Sequence, residues 1–152
     1  MPDITAVTHA QNIRYDRKAE ALYIIDQTLL PGEEKEIRLQ TIDEMVEAIR
    51  ALRVRGAPAI GICAAYCMYV LAKSIRTEDR PTFLKRLSDY GQQLDAARPT
   101  AVNLGWAIRE MMRTALEHAP VPRGQCWTLC TRGHELSKRT ASPPPRPAPT
   151  TA

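Results

Sequence analysis

From Gly56 to Ala72 the chain carries no charged side chain. Seventeen residues sit at the lower edge of the length that crosses a bilayer. Gly56, Pro58 and Gly61 interrupt the run near its start, so a core helix from about Pro58 to Ser74 is the favoured reading. Such a helix has no polar face, and other elements must surround it. Cys63 and Cys67 lie four apart within it, face the same way, and read as small hydrophobes.

The entry to this helix carries the chemistry. In Arg55-Gly56-Ala57-Pro58-Ala59-Ile60-Gly61 an arginine meets a glycine turn and a proline in the first helical turn. First-turn N–H groups have no intrahelical partner, and the helix dipole turns its positive end the same way. Gly56 and Ala57 let an anion approach the backbone, and Arg55 adds a planar fork suited to phosphate. The same residues also fit an ordinary turn into a buried helix. A second segment repeats the pattern. Arg98-Pro99-Thr100-Ala101 places an arginine before another helix start, with Thr100 as N-cap. Two such starts raise the prospect of one shared anion site.

The remaining pattern predicts an α+β fold, a small antiparallel β-meander followed by a helical bundle. Strands are expected at Ile13–Tyr15, Ala21–Ile25 and Glu36–Leu39, with turns at Asp16–Lys18 and Pro31-Gly32. Thr41 and Glu44 form a capping box, and Ile42, Met45, Val46, Ile49 and Leu52 keep helical spacing behind it. Two further helices are expected at about residues 81–97 and 101–118.

Near Pro120 the pattern stops. Seven of the twelve prolines lie from there onward. Arg123, Arg132, Lys138, Arg139 and Arg146, opposed only by Glu135, supply the whole net charge of +4. Residues 1–119 therefore form the domain, and residues 120–152 a Pro-rich basic tail, expected to be disordered. The abrupt change also fits a reading-frame shift near codon 120. A basic pI belongs to the tail, and the body shows no nucleic-acid signature. The start, Met1 to Asn12, has no apolar leader core, and a cytoplasmic protein outside the membrane is expected.

Three blocks carry a resemblance to a known family. They are Leu22-Tyr23-Ile24-Ile25-Asp26-Gln27-Thr28-Leu29-Leu30-Pro31, Arg53-Val54-Arg55-Gly56-Ala57-Pro58-Ala59-Ile60-Gly61 and Arg98-Pro99-Thr100-Ala101-Val102-Asn103-Leu104. In order and spacing they resemble the methylthioribose-1-phosphate isomerases of methionine salvage, over about residues 9–119. The same superfamily includes ribose-1,5-bisphosphate isomerases and regulatory subunits of a translation-initiation exchange factor. The resemblance implies an aldose–ketose isomerase converting 5-methylthioribose 1-phosphate to 5-methylthioribulose 1-phosphate, with no cofactor and as a homodimer. It assigns substrate binding to Arg55, Gly56, Ala57 and Arg98. The family's second, Rossmann-like domain holds a Cys-Asn-x-Gly motif, an aspartate acid/base and an Asn-Lys pair. None of these matches a segment of this sequence, so no catalytic residue is assigned and no turnover by this chain alone is expected. The alternative is a non-catalytic sugar-phosphate-binding or regulatory module of the same superfamily.

Cys126, Cys130 and His134, with His118 upstream, have the ligand types for zinc but no standard spacing. No metal site is assigned to them. The Pro-rich end offers no clean repeated register for a proline-recognising domain.

Overall fold

The structure, a computed structural model, describes residues 12–77 and 79–118. The expected architecture is present. Three strands, β1 (Ile13–Asp16), β2 (Ala21–Ile25) and β3 (Glu36–Leu39), form an antiparallel sheet in chain order. Four helices follow: α1 (Ile42–Arg50), α2 (Ala57–Ser74), α3 (Arg80–Ala97) and α4 (Val102–His118).

The sheet register separates two faces. Tyr15 lies opposite Leu22 and Leu22 opposite Leu39, while Ile13 and Ile37 flank Ile24. Directly paired residues share a face, and this one joins the core through Leu22, Ile24 and Leu39. The other face is polar. There Arg14 lies 4.4 Å from the centre of the Tyr23 ring and bonds Glu36 at 2.8 Å.

The capping box at α1 forms as expected. Thr41 Oγ1 accepts from Glu44 N–H at 3.3 Å, and Glu44 Oε2 accepts from Thr41 N–H at 3.0 Å. The far end of α1 differs from the expected continuation to Leu52. The helix stops at Arg50, and Leu52 turns left-handed at φ 59°. Leu52 N–H then bonds the Ile49 carbonyl at 3.2 Å, and Arg53 N–H bonds that of Ala48 at 3.0 Å. This pair of bonds is the Schellman closure, which satisfies the last helical carbonyls. Its physical effect is to turn the chain sharply ahead of Arg53.

Helix α2 is the core helix, with Ile60, Cys63, Ala64, Cys67, Met68 and Leu71 buried. It is also the one helix among the described residues long and apolar enough to cross a membrane. The described elements do not surround it fully. Tyr66 and Tyr69 are half-buried and meet Tyr15 of β1, with ring centres 6.2 and 5.0 Å from it. The cysteines behave as packing groups. Their sulfurs lie 3.9 Å apart, fully buried, and the neighbouring thiol together with burial pushes the Cys67 thiol up.

Glycines set the helix spacing. A Cβ on Gly61 would lie 3.3 Å from the Asn103 carbonyl oxygen, and one on Gly91 would lie 2.9 Å from Ile108 Cγ2 and 3.5 Å from Met68 Cε. Early residues of α2 therefore meet early residues of α4, and later ones meet later ones. The two helices run parallel. Helix α3 runs against α4, because Gly91 meets Ile108 while Arg80 donates to the Leu116 carbonyl. Gly91→Val should destabilise the chain by about 2 kcal/mol in urea melts, because the core has no room at that point. An unchanged midpoint would contradict this packing.

Candidate functional site

The parallel run of α2 and α4 brings two helix starts to one end of the bundle. Asn103, in the first turn of α4, donates from Nδ2 to the Ala57 carbonyl at 2.8 Å. The turn Arg98–Ala101, closed by Ala101 N–H to the Arg98 carbonyl at 3.0 Å, leads directly into α4. The Arg98 turn and the Gly56 turn thus belong to the same end, and both dipoles present their positive poles there.

Gly56 is the N-cap of α2, at φ 92° and ψ 134°, with no capping side chain. The first intrahelical bond is Ile60 N–H to the Gly56 carbonyl at 3.0 Å. The amides of Ala57 and Ala59 precede it and have no acceptor within the helix, and Pro58 has no N–H. Arg55, Gly56, Ala57 and Pro58 are exposed, while Arg98 is half-buried. Among the described residues the Arg55 guanidinium makes one long contact, Nε to the Leu52 carbonyl at 3.3 Å. Exposed amides at a positive helix pole beside a loosely held guanidinium can bind an anion.

Thr100 is not the N-cap expected of it. Helix α4 begins at Val102, and the Ala101 carbonyl accepts from Leu104 and Gly105 N–H at 3.0 and 3.2 Å. The turn closed between Arg98 and Ala101 moves the helix start one residue on. The cysteines and histidine weighed for zinc beyond His118, and the Pro-rich tail, lie outside the described residues. Among the described residues no cluster of three metal-ligating side chains occurs.

A buried ion pair fixes the approach to the site. Asp26, at the end of β2, is 1% exposed. Its carboxylate accepts from Thr28 N–H at 3.0 Å, from the Thr28 hydroxyl at 2.6 Å, and from Arg53 NH1. Burial pushes the Asp26 carboxyl up, but the Thr28 and Arg53 bonds outweigh it and leave it below the ordinary value. Arg53 also bonds Glu47 at 2.8 Å, and Glu47 with Asp26 raises its affinity for its proton further. Arg53 is thereby committed to structure, while Arg55 stays exposed.

The sequence reasoning missed Asp26, Gln27, Arg53 and Asn103 as participants. One signal was available for Asp26. A lone carboxylate ending the apolar run Ala21–Ile25 needs a cation when buried.

The Initiation factor 2 subunit family matches residues 53–137, from the arginine on Asp26 through both helix starts and past Pro120. The chain belongs to this family. A methylthioribose-1-phosphate isomerase of Crocosphaera subtropica is 51% identical over 94 residues, 62% of this chain and 27% of that protein. The 5-methylthioribose 1-phosphate isomerase of Pyrococcus horikoshii superposes with a TM-score of 0.74 at 30% identity, over 85% of this chain and 36% of that one. A second family structure, the delta subunit of translation initiation factor eIF-2B from A. fulgidus, superposes at 0.65 and 32% identity, over 86% and 35%. The chain spans about a quarter to a third of the length of these relatives.

Two measurements check this construction. The Asp26 carboxyl lies below its ordinary value of 3.8, so the pair's contribution is complete above that pH. It is lost as pH falls through the folded value. Asp26→Asn should therefore lower stability by about 2 kcal/mol near pH 7. The gap from the parent should begin to narrow only below about pH 4, and a gap constant with pH would contradict the ion pair. Gly56→Ala meets no atom within 4 Å but must adopt φ 92°. It should cost about 1–3 kcal/mol through backbone strain alone, measured by thermal unfolding.

Proposed function

We propose that residues 12–118 form the phosphate-recognition part of an aldose–ketose isomerase acting on 5-methylthioribose 1-phosphate to give 5-methylthioribulose 1-phosphate. The observation that carries this is the exposed Arg55–Gly56–Ala57 turn at the shared positive end of α2 and α4. It occurs in a chain 51% identical, over 94 residues, to a protein named for isomerising that substrate. The Gly56, Ala57 and Ala59 amides hold the phosphate, Arg55 supplies a bidentate charge-assisted bond, and Arg98 approaches from the α3–α4 turn. A phosphate retained on the anomeric carbon requires ring opening before the hydrogen shift, and that shift needs a positioned acid or base. The resemblance assigns this chemistry to a second domain, so binding rather than turnover is the task of these residues. The core role of α2 agrees with a soluble, cytoplasmic enzyme, and a homodimer is the assembly this reading carries.

The likeness to the A. fulgidus initiation-factor subunit favours one second reading, a non-catalytic regulatory module that keeps the anion site. Calorimetric titration with 5-methylthioribose 1-phosphate tests the shared element. Arg55→Ala and Arg98→Ala should each weaken binding by about tenfold. Parental affinity in both variants would refute the site. An isomerase assay on the same 152-residue preparation should show no conversion above a mock preparation. Clear conversion would contradict the division of labour.

A further inference from the structure

The backbone that presents Arg55 is clamped by one residue. Gln27 N–H donates to the Arg53 carbonyl at 3.0 Å, and Gln27 Oε1 accepts from Arg55 N–H at 3.1 Å. The two bonds bracket Val54, whose side chain is 1% exposed. Next to Gln27, Asp26 holds the Arg53 guanidinium. The main chain from Arg53 to Arg55 is therefore fixed by polar bonds and by a buried side chain, immediately before Gly56. The Arg55 guanidinium, by contrast, has among the described residues only the long bond to Leu52. A fixed backbone with a loosely held charged side chain is the division a preorganised anion site requires, since ordering the backbone at the moment of binding would reduce affinity.

We propose that Gln27 is a positioning residue for this anion site. It occupies the Arg55 N–H, so the donors offered to the anion begin at Gly56, and it sets the direction in which Arg55 leaves the main chain. The proposal rests on reading the Arg55–Ala57 turn as the phosphate site. Gln27 does not touch the anion. It acts through the Arg55 peptide group.

The test uses the 152-residue chain labelled with nitrogen-15. Inorganic phosphate is the probe, followed through the Gly56 and Ala57 amide resonances, and exchange of the Arg55 amide reads the clamp itself. Gln27→Met keeps the length and removes the acceptor. It should speed Arg55 amide exchange and weaken phosphate binding, each about fivefold. Gln27→Glu keeps an acceptor oxygen and should restore Arg55 protection, whereas a general packing role would leave Gln27→Met, of similar length, protected as well. If Gln27→Met does not fold, Gln27→Asn withdraws the same carbonyl by one methylene and carries both readouts. Parental exchange at Arg55 in the acceptor-less variant overturns the proposal. So does parental phosphate affinity there when Arg55→Ala has lost it. If Arg55→Ala also binds as the parent does, or the parent does not bind, the reading of the site fails and the proposal falls with it.

Discussion

The bond between Arg53 and the buried Asp26 is the constraint on which the site end of the molecule depends. A carboxylate that is 1% exposed cannot stay ionised without compensation. Thr28 supplies two hydrogen bonds, and Arg53 supplies the charge. Meeting that demand brings the segment after α1 to the end of β2. The chain can reach there because α1 closes early, with Leu52 in the left-handed region. Leucine gains nothing from that conformation by itself, and its φ of 59° is a local strain the closure and the ion pair together sustain. The outcome is that Arg53 points into structure, Val54 into the core, and Arg55 is exposed ahead of the glycine turn.

The helices complete the arrangement by direction. Helix α3 returns the chain, so α2 and α4 start at the same end. Close approach at Gly61 and Gly91 lets side-chain and main-chain atoms of neighbouring helices meet without an intervening layer. Asn103 then ties the first turns together through the Ala57 carbonyl. Each helix start alone would be a weak anion site. Set beside one another, with the Arg55 and Arg98 turns next to them, they make one positive end.

The periodicities that made the fold legible are local ones. The apolar run at Ala21–Ile25, the alternation at Glu36–Leu39, the capping box at Thr41 and Glu44, and the uncharged run through α2 each report on neighbours in the chain, and the structure follows them closely. The shape of the Gly56 turn was legible for the same reason, since a glycine with a proline two residues on constrains the backbone directly. The supports of the site were not. Asp26 meets Arg53 across 27 positions, Gln27 meets Arg55 across 28, and Asn103 meets Ala57 across 46. No spacing rule reaches over such separations. Arg53 and Arg55 look alike in the sequence, and only the position of Asp26 separates a structural arginine from one available to a ligand. The misplaced cap at Thr100 has a similar origin, because a threonine before an apolar run suits an N-cap until the turn from Arg98 displaces the helix start.

The central claim is that one end of the α2–α4 pair is built to hold a phosphate. The most direct measurement is a crystal structure of the chain with 5-methylthioribose 1-phosphate. The account predicts the phosphate within hydrogen-bond distance of the Gly56 and Ala57 amides, with the Arg55 guanidinium swung from Leu52 onto it and Arg98 on its other side. A phosphate bound elsewhere, with Arg55 still turned toward the Leu52 carbonyl, would contradict it.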